Sequence, residues 1–340
     1  MVIDERKQLL IEWLKGVFLT DEFSCEPASS DASFRRYFRV QFNGQSFVVM
    51  DAPPAKEDCT SFIAVAELLF SQGINAPQIF YKSLEKGFLV LSDLGSESYL
   101  DKLSELTAKN CYGDAVQALH KMHELPLAEL EIPQYDLALL QQEMGLFEEW
   151  FVNKLLAVDL LSDDKTGLVM VKEKLAQSAL EQPQVFVHRD YHSRNLMVTE
   201  KDNPGVIDFQ DAVAGPITYD LVSLYRDCYI DWPDEKIYVW LDDFLQQRRA
   251  RGCVDDFDQA RFYQWFDWMG VQRHMKAIGI FSRLLIRDGK NGYLKDIPRT
   301  LSYVIAVCAR YDDLRPVADL IEKHQLMAKF VQLQTELKPL

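Results

Sequence analysis

The stretch from Val185 to Ala212, VFVHRDYHSRNLMVTEKDNPGVIDFQDA, decides how the rest of the chain is read. Three short apolar runs, Val185 to Val187, Leu196 to Thr199 and Val206 to Ile207, read as strands, and Asp-Asn-Pro-Gly at 202–205 supplies the turn chemistry between the last two. Between these runs stand His188, Arg189, Asp190, His192, Arg194, Asn195 and Asp208. A loop that displays so many ionisable or amide side chains between apolar strands is poorly explained by packing.

The spacing matches the needs of phosphoryl transfer. Protein kinases carry H-R-D-x-x-x-x-N, in which the Asp takes the hydroxyl proton and the Asn holds magnesium; a second metal-binding Asp follows in D-F-G. Here His188-Arg189-Asp190 leads to Asn195 at that offset, and Asp208-Phe209-Gln210 follows the strand turn. Such chemistry requires a carboxylate within reach of the attacking hydroxyl and oxygen ligands for Mg²⁺. Chance tripeptides in a solvated loop are the bland explanation. Agreement in order, spacing and strand context speaks against it.

The whole chain bounds the reading further. Its 340 residues are 48% hydrophobic and 26% charged, enough to bury a substantial core. A net charge of −15 excludes a broad nucleic-acid-binding face, which needs clustered Lys and Arg, while leaving a nucleotide substrate possible. Six scattered cysteines without a C-x-x-C pair fit a reducing compartment. The first twenty residues form an amphipathic, charge-bearing pattern unlike a signal peptide, and no apolar run reaches membrane-spanning length. The expectation is a soluble cytoplasmic protein with no membrane or protein partner.

In chain order, residues 4–18 place Leu9, Leu10, Trp13, Leu14 and Phe18 on one helical face. PASSD at 27–31 reads as a loop, SFRRYFRVQF as a strand, Asn43-Gly44 as a hairpin turn and SFVVMDA as the returning strand. A helix over Thr60 to Gln72 and two strands, QIFYK and GFLVLSD, follow. SDLG at 92–95 is the expected hinge, where Asp93 lies beside an adenine bound to backbone groups. Helices are expected over 103–124, 136–157, 166–180, 219–229, 234–249, 256–286, 297–311 and 315–336. The order implies an α+β, two-lobed protein-kinase-like fold: a small antiparallel-sheet lobe at 1–94 for the nucleotide and a larger, mainly helical lobe at 95–340 for catalysis and substrate.

HRDYHSRNLM followed by GVIDFQDA resembles the aminoglycoside phosphotransferase superfamily of small-molecule kinases, whose HxDxHxxN pattern includes the second histidine supplied by His192. SSDASFRRYFRV, VVMDAPPAKED, GPITYDLVSLYRDCYIDWP and GVQRHMKAIGIFSRLLIRDGK are similar to a narrower group. These are the bacterial anomeric kinases that phosphorylate N-acetylmuramate and N-acetylglucosamine at the C1 hydroxyl in cell-wall recycling. The resemblance runs from about residue 28 to 310. It implies ATP and Mg²⁺, with Asp190 as catalytic base, Asn195 and Asp208 as metal ligands, and Asp220 as the carboxylate bracing the loop; a plain first-turn acid is the other role open to Asp220. His188 is expected to anchor the loop backbone. His192 either orients the loop or approaches the phosphates.

The pattern breaks in the third strand, where Met50 stands at the place of the kinase lysine. No G-x-G-x-x-G is present either, so backbone amides and small side chains such as Ser33 would have to cradle phosphates. With Asn43-Gly44 as the turn, Tyr37 lies opposite Met50 and Arg39 opposite Val48, putting Arg35, Tyr37 and Arg39 on Met50's side. Arg35, then Arg39, are candidate phosphate cations, with Arg36 on the other face beside Asp51; solvated arginines are the alternative. Glu67 is either a partner for such an arginine or a surface acid.

For the acceptor, Asp231 and Trp232 form one aromatic-acidic corner and Asp267 lies in another, suited to sugar C–H faces and hydroxyls, though single tryptophans are more often core. Arg273 and His274, with Lys276 on the Arg273 face, form a basic cluster in an acidic chain and could meet an anionic group. An aminoglycoside pocket would instead be rich in carboxylates. Two rival functions stand beside the sugar kinase: a kinase of another small alcohol (an aminoglycoside, choline or homoserine), or a nucleotide-binding relic that has lost catalysis.

Overall fold

A computed structural model describes residues 4–30, 34–254 and 256–337. The chain forms α1 (Glu5–Phe18), β1 (Ser24–Ser30), β2 (Arg36–Phe42), β3 (Gln45–Asp51), α2 (Thr60–Ser71), β4 (Ile79–Ser83), β5 (Phe88–Ser92), the one-turn α3 (Tyr99–Lys102) and α4 (Ala108–His123). Next come α5 (Leu137–Leu146), α6 (Ser162–Leu180), β6 (Gln184–Val187), β7 (Leu196–Met197), β8 (Gly205–Val206), β9 (Val213–Pro216) and α7 (Tyr219–Tyr225). The remainder is helical: α8 (Asp234–Ala250), α9 (Gln259–Asp288), α10 (Ile297–Arg310), α11 (Arg315–Lys323) and α12 (Leu326–Glu336). None of the described helices is long and apolar enough to cross a membrane.

The chain divides into two compact units, Met1–Lys121 with Arg194–Asp211, and Met122–Ser193 with Ala212–Leu340. Residues 95–121 and 194–211 thus join the first unit, where the sequence reading drew its line after residue 94. Hydrogen bonds explain the grouping: Val198 N–H donates to the Glu97 carbonyl at 2.8 Å, and Asn203 Nδ2 donates to Tyr99 Oη at 2.8 Å.

The first unit holds an antiparallel sheet in the order β1-β2-β3-β5-β4. Tyr37 pairs with Met50 and Arg39 with Val48, the register that the two-residue Asn43-Gly44 turn dictates. Leu10, Leu14 and Phe18 of α1 pack on Phe38, Val40, Val49, Phe88 and Val90 of the sheet. Each such side chain contributes about 1.5–3 kcal/mol by leaving water. Leu9 turns outward instead, at 43% exposed. A strand replaces part of the expected loop: β1 includes Pro27 as an edge residue beside a register shift, where a missing N–H is tolerated. At the end of β3 the chain must pass close to Gly87, whose φ of +71° and contact with the Ala52 carbonyl leave no room for a Cβ.

The second unit is built around α9, the thirty-residue helix whose middle turns are buried. Gly279 lets α9 press on Leu146, whose backbone atoms a Cβ would meet at 2.4 Å. At that point α5 widens into π-helical turns over Phe147–Leu155, so the single helix expected over 136–157 changes character where α9 crosses it. The expected final helix over 315–336 is likewise two helices. Gln325 takes φ +51°, and the end of α11 is tied to α6 by Lys323 and His324, both bonded to Asp164. A two-stranded sheet of β6 and β9 carries the polar loop into this unit.

Candidate active site

The loop that follows β6 is fixed by buried carboxylates of its own unit. Asp220, in the first turn of α7, accepts the amide of His188 at 2.7 Å and that of Arg189 at 3.0 Å. These contacts hold Arg189 at φ +75°, a left-handed conformation that costs a non-glycine residue about 1–3 kcal/mol. The Asp190 amide donates to His188 Nδ1 at 3.3 Å, and His192 N–H donates to the Asp190 carbonyl at 3.0 Å. Beyond them, Ser193 donates to Asp227 through both its amide and its hydroxyl. His188 is fully buried and edge-on to Tyr191, the placement of an anchor. His192 lies edge-on to Tyr229.

Charge around Asp190 is mostly positive. Burial pushes its carboxyl up, but Lys276, His192, Arg273 and His188 together outweigh burial and hold it below the usual carboxylate range. Asp220 behaves oppositely: burial drives it up to about 7, with the two loop amides and Arg273 only partly opposing. The two acids are therefore shifted in opposite directions, Asp190 toward the anion and Asp220 toward the protonated form. Glu143 of α5, which the sequence reading did not single out, pairs with Arg189 and with Lys276 at 3.1 Å. Its position in α5 gives no signal beyond a buried acid on an apolar helix face.

Asn195 and Asp208 belong to the first unit, on the β7–β8 hairpin. Ile207 N–H donates to the Asn195 carbonyl at 3.1 Å, and Asn195 Nδ2 donates to Asp208 Oδ2 at 3.1 Å. Gln210 Nε2 donates to Asp208 Oδ1 at 2.8 Å, and Phe209 is buried against Phe62. Asp208 sits at φ +67°. Among the described residues no three His, Cys, Asp or Glu side chains cluster into a metal cage. One carboxylate and one neighbouring amide side chain nevertheless fit Mg²⁺, which takes few protein ligands when phosphates and water complete its shell.

Of the nucleotide-side candidates, Ser33 lies outside the described residues. Arg35 is buried and pairs with Glu57 at 3.1 Å; that acid lies in the irregular stretch after β3, where no periodicity marks it. Arg39 is engaged three times, by both oxygens of Asp93 (2.7 and 3.1 Å) and by the Gly95 carbonyl at 2.9 Å. Asp93, expected at a hinge, therefore serves first as the arginine's counter-ion, and its carboxyl is held low by Arg39 and Ser46 against the upward push of burial. Glu67 pairs with Lys82, not with an arginine, and both are exposed. Arg36 reaches Asp51 at 2.6 Å on the far face, as the strand alternation requires.

The acceptor-side candidates separate. Asp267 is buried and bonded to Arg226 (2.7 Å), Tyr238 (2.9 Å) and Tyr311 (2.7 Å), so its lone pairs are occupied within the core. His274 is buried, its Nε2 donates to the Arg226 carbonyl at 2.8 Å, and its ring stacks on Tyr303. Burial, aided by Arg273 and Arg226, lowers it to about 3, which keeps it neutral and corrects the expectation of a cation for an anionic group. Trp232 is buried against Trp240, and Asp231 accepts from Tyr303 Oη at 2.8 Å. Arg273 stays close to Asp190 electrostatically and donates weakly to Cys228 Sγ at 3.9 Å.

Comparison with known proteins identifies the family and the fold. The model of the phosphotransferase enzyme family matches residues 24–263. The N-acetylmuramate/N-acetylglucosamine kinase of Pseudomonas putida is 46% identical over 337 residues, covering 96% of this chain and 98% of that protein. The Neisseria meningitidis protein of the same name is 40% identical, covering 93% and 95%. Among solved structures, a choline kinase from Streptococcus pneumoniae matches with a TM-score of 0.61 at 12% identity, covering 88% of this chain and 99% of that one. An ethanolamine kinase from Plasmodium vivax gives 0.61 at 14%, covering 90% of each chain. At such identities the structural likeness establishes the kinase-like fold alone.

Proposed function

Taking as premise that the chain belongs to the phosphotransferase enzyme family, we propose that it transfers the γ-phosphoryl group of ATP to the C1 hydroxyl of N-acetylmuramate or N-acetylglucosamine. The observation that carries this reading is end-to-end similarity: 46% identity across 96% of the chain to a kinase of those sugars. The setting is the cytoplasm, in the recycling of peptidoglycan fragments. Residues 1–94 are assigned to the nucleotide and residues 95–340 to catalysis and acceptor.

Asp190 is the base. Its carboxylate accepts the proton of the acceptor hydroxyl as the sugar oxygen bonds to the γ-phosphorus and the bond from that phosphorus to the bridging oxygen breaks, releasing ADP. A carboxylate suffices because an anomeric hydroxyl is more acidic than an ordinary alcohol. Asn195 and Asp208 would hold Mg²⁺, which supplies charge neutralisation to the phosphate oxygens when bound. Asp220 and Asp227 hold the loop that carries Asp190. Arg35 is the first candidate for a phosphate contact by its place ahead of β2, next to the expected phosphate loop; Arg35 and Arg39 each carry an acidic partner, Glu57 and Asp93.

Positive charge from Lys276 and Arg273 around Asp190 supports a neutral or anionic acceptor over a cationic one, since like charges repel most where solvent is excluded. The test is an ATP-consumption panel over N-acetylmuramate, N-acetylglucosamine, kanamycin and choline. Turnover with the acetylated sugars is expected. Turnover confined to kanamycin or choline would remove the sugar reading.

A further inference from the structure

The two acceptors of the proposed reaction differ by one charge: N-acetylmuramate carries a lactyl carboxylate where N-acetylglucosamine carries a hydroxyl. The basic cluster of α9 is committed inside the fold. Lys276 pairs with Glu143 at 3.1 Å, burial keeps His274 neutral, and Arg273 is buried. Another cation stands nearby. Arg299, on α10, has a side chain 35% exposed, and its Nη1 donates to the Cys228 carbonyl at 2.9 Å. Cys228 Sγ faces Arg273 at 3.9 Å, and the charge of Arg273 reaches Asp190. The next residue, Tyr229, lies edge-on to His192 with ring centroids 5.3 Å apart, and the His192 amide donates to the Asp190 carbonyl. All of these residues belong to the second unit, and one step along the chain separates the carbonyl that Arg299 holds from a contact with the loop of the base. Tyr229 is half-buried, an aromatic surface of the kind that packs on sugar C–H groups.

The guanidinium of Arg299 is only partly engaged. Among the described residues the Cys228 carbonyl is its one hydrogen-bond partner, and its one ion pair, to Asp296 at 3.8 Å, uses the same nitrogen. Asp231 is turned to Tyr303 Oη at 2.8 Å and makes no ion pair with Arg299, although the charge of Arg299 reaches Tyr303. Nε and Nη2 therefore make no hydrogen bond among the described residues. These two nitrogens form one edge of the planar guanidinium. With Nη1 anchored, that edge has the geometry that takes a carboxylate by two parallel bonds.

We propose that Arg299 is a specificity-determining residue: its Nε–Nη2 edge receives the lactyl carboxylate of N-acetylmuramate and has no counterpart contact with N-acetylglucosamine. This role presupposes that the chain is a kinase of these two sugars. Arg299 acts on the choice of acceptor and not on the proton transfer, so its loss is read in the ratio between the sugars.

The experiment measures kcat and KM for N-acetylmuramate and for N-acetylglucosamine, with melting temperature, in wild type, Arg299→Met and Arg299→Gln. Arg299→Met is expected to shift the ratio of the two kcat/KM values about tenfold or more against N-acetylmuramate, through KM and not kcat. Arg299→Gln keeps a donor for the Cys228 carbonyl and loses the charge. It should shift the ratio the same way, and it is the variant compared with wild type if Arg299→Met melts below the assay temperature. Should N-acetylmuramate alone be turned over, its KM is read against the KM for ATP in the same manner. An arginine that only ties α10 to the Cys228 carbonyl would weaken both acceptors alike, so an unchanged ratio overturns the proposal. Wild-type turnover of N-acetylglucosamine without N-acetylmuramate also overturns it and leaves the sugar-kinase reading standing. Turnover of neither sugar overturns the proposal together with that reading.

Discussion

Asp220 Oδ1 accepts the amide of Arg189 at 3.0 Å, on the very residue that the loop holds at φ +75°. Its other oxygen takes the amide of His188, so one side chain satisfies two consecutive N–H groups that β6 no longer pairs. In Asp220→Asn the amide nitrogen must face one of those donors. A loss of about 1–3 kcal/mol is expected from the unsatisfied pair, together with a fall in kcat larger than any change in KM for ATP. Melting curves and steady-state kinetics on the same preparation check both, and a variant of wild-type rate would show that the loop needs no such brace.

Arg35 precedes β2 and Arg39 lies within it, and each meets an acid. Arg39 gives its donors to Asp93 and the Gly95 carbonyl, whereas Arg35 is paired with Glu57. With Arg35 as the proposed phosphate contact, Arg35→Met should raise KM for ATP about tenfold, the cost of one charge-assisted contact, and Arg39→Met should act mainly on melting temperature. Nucleotide titrations of the two variants decide the order.

His274 predicts a pH dependence of stability. Burial lowers it to about 3, against an ordinary value of 6.5, so the fold keeps it neutral while the unfolded chain protonates it. Its contribution is fully present above about pH 6.5 and is lost as pH falls from there toward 3. At pH 5 the loss is about 2 kcal/mol, from roughly 1.4 kcal/mol per pH unit. Denaturant melts at pH 7.5 and pH 5 should show a smaller difference in His274→Gln than in wild type.

Gly279 marks the closest approach of α9 to Leu146. A methyl group there meets backbone that cannot swing aside, so Gly279→Ala should destabilise by about 1–3 kcal/mol or more, although alanine is the better helix former. A denaturant midpoint shift measures it; an unchanged midpoint would mean that α9 can retreat at no cost.

Much of this architecture is visible in the chain itself, for physical reasons. The β2–β3 register follows from Asn43-Gly44, because a two-residue turn leaves one pairing available. The proposed phosphoryl-transfer roles of Asp190, Asn195 and Asp208 start from their spacing in the chain. Tertiary pairing is not legible there. Nothing local says that Arg39 meets Asp93, fifty-four residues away, or that Glu143 meets Arg189 and Lys276. Asp267 and His274 looked like polar groups for a ligand, yet their helix is buried through those turns and its polar residues answer one another. A one-dimensional reading sees a side chain's chemistry, not whether a partner has already taken it.

Phosphorus NMR of the product from ATP and N-acetylmuramate tests the central claim most directly. The account predicts a sugar phosphate whose phosphorus couples to the anomeric proton, formed by wild type and abolished in Asp190→Asn. A phosphate on any other hydroxyl, or an undiminished yield from Asp190→Asn, would contradict it.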